Sequence, residues 1–113
     1  MNIKNWKMIG AVAFAVVTST AASAAEYTIE QKNKTFVVNG QQVEEFTIKA
    51  GDTIHFLNDD PFFHNIFSLS DLKTFDLGSY PAGQMKDVTF DAPGEAEIEC
   101  AIHPEMYLVL TVE

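Results

Sequence analysis

Apolar and β-branched residues fall along this chain in short runs, each closed by turn-forming residues. Tyr27 to Gln31 and Thr35 to Val38 are two such runs, and Asn39-Gly40 marks a tight turn behind them. Val43 to Lys49 leads into Ala50-Gly51-Asp52, a second turn signal. Thr53 to Leu57 alternates, and Asn58-Asp59-Asp60-Pro61 breaks the alternation. His64 to Leu69, Lys86 to Phe90, Glu95 to Cys100 and Tyr107 to Val112 complete the set. Ser70 to Gln84, with Gly78, Pro81 and Gly83, reads as irregular. No window carries the i, i+3, i+4, i+7 apolar spacing of a long helix. The pattern predicts seven or eight strands in an all-β sandwich or barrel.

One run declares its faces. Ala96, Ile98 and Cys100 share one side of Glu95–Cys100, and Glu95, Glu97 and Glu99 the other. The thiol of Cys100 is therefore expected at the inner end of a strand. Leu108, Leu110 and Val112 form the matching inward set in the last run.

The N-terminal segment follows a different rule. Lys4 and Lys7 precede an apolar run, Met8 to Val17, that is shorter than the roughly 20 residues needed to span a bilayer. Small residues follow, and Ala22-Ser23-Ala24 fits a cleavage signal. Residues 1–25 are expected to be a secretory signal cut after Ala24 or Ala25, with an uncleaved anchor as the alternative. Residues 26–113 then form a single domain released into the periplasm, without stable membrane association.

Composition narrows the chemistry. The 113 residues include 7 Lys, no Arg and 16 Asp plus Glu, a net charge of −9. The signal removes two of the Lys, so the mature domain carries 5 Lys against 16 acids, a net −11. That balance excludes nucleic acid, whose phosphates reward clustered cations. One Cys excludes an internal disulfide framework and an all-cysteine zinc site. In an exported domain a lone thiol is buried, paired between chains, or protected by a metal.

The stretch Cys100-Ala101-Ile102-His103-Pro104-Glu105-Met106 places a thiol, an imidazole and a thioether at C-x2-H-x2-M spacing. A turn of this length can return all three side chains to one point, and soft sulfur with imidazole suits copper. Cysteine and two histidines with a weak axial methionine define a blue-copper site. His64 is the natural second histidine, opening a run just after Asp59-Asp60-Pro61. Without these neighbours Cys100 would read as a small core hydrophobe and Met106 as packing. His55 reads as a partly exposed strand residue. Phe62 and Phe63 are read as core, as a water shield for the site, or as both. Asp59, Asp60, Asp71, Asp76 and Glu105 read as a solvated surface.

From Phe46 to Val112 the chain resembles the cupredoxins, the type 1 copper proteins that include plastocyanin and amicyanin. The matching pieces are Ala50-Gly51-Asp52-Thr53-Ile54 with Phe56 and Asn58, then His64-Asn65, then Cys100 to Met106. The resemblance implies a Greek-key antiparallel sandwich holding one copper ion, cycling between Cu(I) and Cu(II), through His64, Cys100, His103 and Met106. It implies that Asn65 ties the two ligand loops together and hydrogen-bonds near the Cys100 sulfur. It also implies a non-enzymatic, monomeric electron carrier serving a redox protein donor and acceptor. A copper chaperone or buffer is the alternative, and a zinc hydrolase on His64, Cys100 and His103, with Glu105 as base, is a third class. Ser70 to Gln84 and the lack of a basic patch are this chain's own.

Overall fold

Alternation at a period of two is carried through into the computed structural model, which describes residues 23–113. In Asp52–Asn58 every second residue is buried, and the inward set of Ile54 and Phe56 is fully covered. Ten strands form: β1 (Glu26–Lys32), β2 (Thr35–Val38), β3 (Gln41–Gln42), β4 (Glu45–Ile48), β5 (Asp52–Asn58), β6 (His64–Ser70), β7 (Lys73–Tyr80), β8 (Met85–Phe90), β9 (Gly94–Cys100) and β10 (Tyr107–Val112). The expected export segment lies outside the described residues as far as residue 22.

The strands make two five-stranded sheets, ordered β3-β2-β1-β5-β8 and β4-β10-β9-β6-β7. Most neighbours are antiparallel, but β1 runs parallel to β5 and β10 parallel to β4. The inner faces meet over Ile29, Phe36, Ile54, Phe56, Ile66, Phe90, Ile98, Leu108 and Leu110. Each such side chain removed from water contributes about 1.5–3 kcal/mol. Cys100 and the set Leu108, Leu110 and Val112 face inward as the sequence alternation requires.

Two strands exceed the expected eight: the two-residue β3 and the eight-residue β7. Ser70 to Gln84 is not irregular: residues 73–80 form β7, an edge strand paired with β6. Phe75 and Leu77 alternate with the exposed Thr74 and Asp76, and Phe75 packs against Phe56 and Phe90. Gly78 bends the strand without ending it, at a φ of 73° that glycine adopts without strain.

Strand pairing decides what gathers at one end of the sandwich. Ile66 sits opposite Cys100, so the start of β6 lies beside the end of β9. His64 pairs with Tyr80 at the end of β7. Asn58 closes β5 at the same end: its Nδ2 donates to the carbonyls of Phe62 and Tyr80 at 2.8 and 3.0 Å, and its Oδ1 accepts from the Asp60 amide at 2.9 Å. One buried side chain thus shapes the loop that delivers His64.

Candidate metal centre

Three donor atoms converge between these strand ends. Cys100 Sγ lies 3.5 Å from His64 Nδ1 and 3.8 Å from His103 Nδ1, and the two imidazole nitrogens are 3.2 Å apart. Among the described residues this is the group of side chains able to hold a metal ion. Metal–nitrogen bonds of about 2.0 Å and metal–sulfur bonds of about 2.3 Å would span these separations. The donor set, two imidazoles and a thiol, is chemically suited to copper.

Each donor is fixed by its element. His64, fully buried, begins β6, and Cys100, also buried, ends β9. The Asn65 amide donates to Cys100 Sγ at 3.4 Å, and the Asn65 carbonyl accepts from the Ala101 amide at 2.9 Å. Backbone atoms therefore tie the His64 strand to the Cys100 loop. Asn65 Nδ2 turns away and donates to Asp76 Oδ1 at 2.7 Å. The loop from Ala101 closes as the Met106 amide donates to the His103 carbonyl at 2.9 Å. Met106 is fully buried at the foot of that loop.

Aromatic packing finishes the pocket. The Phe62 ring lies 5.5 Å from the His64 ring and 5.0 Å from that of His103. Phe63 projects outward, 53% exposed, so of the adjacent pair one covers the imidazoles and the other faces water. His103 is half-buried, and the exposed Ile102 and Pro104 flank it.

Asp60 is the residue the sequence misplaced. It was expected on a solvated surface, yet it is 4% exposed, and its Oδ2 accepts from His64 Nε2 at 2.8 Å. A carboxylate only accepts, so this bond places the His64 proton on Nε2 and leaves Nδ1 a free donor toward the cluster. Asp60 Oδ1 accepts from the Asn33 amide at 2.7 Å and Oδ2 from the Lys34 amide at 3.0 Å. Burial pushes its carboxyl up, but the bonds from His64, Lys34 and Asn33 outweigh this and hold it below the usual range. Burial lowers the His64 pKa, against the opposing pull of Asp60. No local signal separates Asp60 from Asp59; the difference arises only where the β1–β2 turn folds over it. Asp59, Asp71, Asp76 and Glu105 are exposed as expected.

His55 stands apart from the centre. It is partly exposed, as its place in β5 predicts, with Nδ1 2.6 Å from Asp87 Oδ1 and Nε2 2.6 Å from Glu26 Oε1.

Comparison with known proteins agrees with this geometry. Residues 24–113 match the family model for copper binding proteins of the plastocyanin/azurin family. No curated protein matches the chain by sequence. Among solved structures, a point mutant of amicyanin in the Cu(I) state aligns with a TM-score of 0.67 at 20% identity, over 83% of this chain and 86% of that one. A purple cupredoxin from Nitrosopumilus maritimus aligns with a TM-score of 0.64 at 24% identity, over 77% of this chain and 99% of its own. A copper-containing nitrite reductase from Thermus scotoductus SA-01 aligns over 88% of this chain but 25% of the enzyme, with a TM-score of 0.68 at 23% identity. At such identities these likenesses establish the fold, a cupredoxin-like sandwich.

Proposed function

Because the chain belongs to the plastocyanin/azurin family of copper-binding proteins, we propose that it is a small exported electron carrier with one type 1 copper ion. His64 Nδ1, Cys100 Sγ and His103 Nδ1 would hold the ion, with the Met106 thioether as a further, weaker ligand. The observation that carries this reading is the convergence of the three donors within 3.2 to 3.8 Å of one another, two at strand ends and His103 on the loop that joins β9 to β10. Copper bound there supplies one-electron exchange between Cu(I) and Cu(II).

The chain's residues supply the rest. Donors held at the ends of β6 and β9 move little between oxidation states, which keeps exchange fast. Phe62 keeps water off both imidazoles, and the hydrophobic shell supports the site's potential. The half-buried edge of His103 is the exit for the electron. The same rigid, largely buried donors disfavour the chaperone or buffer reading, because releasing an ion asks for a labile, open site. Residues 1–25 direct export to the periplasm, where the monomeric domain meets a redox protein donor and a separate acceptor. Both dock over the rim formed by Phe63, Ile102 and Pro104.

The test is the visible spectrum after adding Cu(II). An intense thiolate-to-copper band, bleached by ascorbate, is expected for the native protein. It should be absent from Cys100→Ala while circular dichroism still reports a sheet protein. Copper uptake without that band, or a band that survives in Cys100→Ala, would overturn the reading.

A further inference from the structure

The carboxylate behind His64 has no place in the donor set, yet it is among the most completely enclosed charges in the described structure. Asp60 is 4% exposed, and three N–H donors meet its two oxygens: Asn33 N on Oδ1, and Lys34 N with His64 Nε2 on Oδ2. Three N–H groups directed at one carboxyl group favour its charged form, which accepts them all most strongly. Asn33 and Lys34 both adopt positive φ, 55° and 58°. Lysine gains nothing from that conformation by itself. The turn is held in it where its two amides point at one anion.

We propose that Asp60 is the positioning residue that sets the reduction potential of the centre, acting through the His64 ring. This inference rests on the copper reading above. Two effects have the same sign. An anion one imidazole away from the donor cluster favours the more highly charged Cu(II) over Cu(I), and low local polarity strengthens the interaction. A carboxylate accepting from Nε2 also makes Nδ1 a more basic donor, which again favours the oxidised ion. The β1–β2 turn, remote from the donors in sequence, thereby becomes part of the centre: it holds the charge where His64 can feel it.

The experiment measures reduction potentials by protein-film voltammetry on the copper-loaded native protein and three variants. Asp60→Asn keeps the shape and removes the charge. Asp60→Glu keeps the charge but displaces it from Nε2. Asp59→Asn removes the same formal charge from the exposed neighbour. We expect Asp60→Asn to reduce the preference for Cu(II) over Cu(I) at least tenfold, a rise of about 59 mV for a one-electron couple. Asp60→Glu should fall between it and the native protein, and Asp59→Asn should match the native protein. An unchanged or lowered potential in Asp60→Asn, or an equal rise in Asp59→Asn, would overturn the proposal. Should Asp60→Asn fail to fold, Asp60→Glu decides: a potential above native supports the role, and one at or below native removes it. A native protein without the thiolate-to-copper band would instead refute the copper reading itself, so the two failures are distinguishable.

Discussion

Asn65 serves the site with its backbone and the fold with its side chain: its amide lies 3.4 Å from Cys100 Sγ, while its Nδ2 donates to Asp76 Oδ1 at 2.7 Å. Asp76 Oδ1 also accepts from the Gly78 amide at 2.8 Å, so the side chain fastens the edge strand β7 where its register with β6 shifts by one residue, Leu77 and Gly78 together facing Ile66. Removing the carboxylate should therefore loosen β7 and leave the thiol's hydrogen bond in place. Asp76→Ala is predicted to lower the melting temperature slightly and to leave the thiolate-to-copper band where it is in the native protein. A band that shifts or fades would show that the side chain, not the amide, governs the sulfur.

The proposed role of Met106 as a copper ligand calls for a different comparison. Met106 is fully buried, so its loss has a packing effect that must be separated from any effect on copper. Met106→Leu conserves volume and should destabilise by less than about 1.5 kcal/mol. Met106→Ala leaves a cavity and should cost about 2–5 kcal/mol. A thioether ligand predicts that Met106→Leu, despite its mild effect on unfolding, changes both the reduction potential and the intensity ratio of the visible bands. A leucine variant with native spectrum and potential would make Met106 a core residue only.

What the sequence revealed depended on whether a property is local. The inward face of β9 and the C-x2-H-x2-M spacing are local, and both were legible because strand periodicity alone orients Ala96, Ile98 and Cys100. Strand β7 was hidden by its punctuation. Phe75 and Leu77 did alternate with Thr74 and Asp76, but Gly78, Pro81 and Gly83 imitate a loop. The parallel pairings of β1 with β5 and β10 with β4 depend on which distant runs meet, which no single run encodes. Asp60 was illegible for the same reason. Its burial comes from Asn33 and Lys34, 27 and 26 residues upstream.

His55 gives a prediction in pH. Its imidazole lies between Asp87 on β8 and Glu26 on β1, and hydrogen bonds first to Asp87 and then to Glu26 raise its pKa above the usual 6.5. The bonded form is the imidazolium, so the stabilisation is complete below about 6.5 and is lost as pH rises through the raised value. Chemical denaturation of native protein and His55→Gln across pH 5 to 9 should show a stability gap that is widest at the acidic end and closes on the alkaline side. A gap that widens with pH would mean that the neutral ring is the stabilising form.

For the proposed carrier, partner docking would be a contest between charge and apolar contact. Residues 26–113 carry a net −11, with Lys32, Lys34, Lys49, Lys73 and Lys86 as their cations. The rim around His103 is instead apolar, with Phe63 53% and Ile102 46% exposed, interrupted by the exposed Glu105. Long-range attraction to a cationic partner is screened over about 8 Å at physiological ionic strength, whereas close apolar contact is little affected by salt. Short-lived electron-transfer complexes bury less than about 1,200 Å², so a few rim residues decide the docked geometry. With a small cationic redox protein as donor, the second-order transfer rate should fall as salt rises and level off above zero, the plateau being the apolar share. Ile102→Glu should lower that plateau while leaving the slope at low salt nearly unchanged, because one more charge adds little to −11. A rate that rises with salt would show that acidic groups near the rim repel the donor, and it would assign docking to the apolar contacts alone.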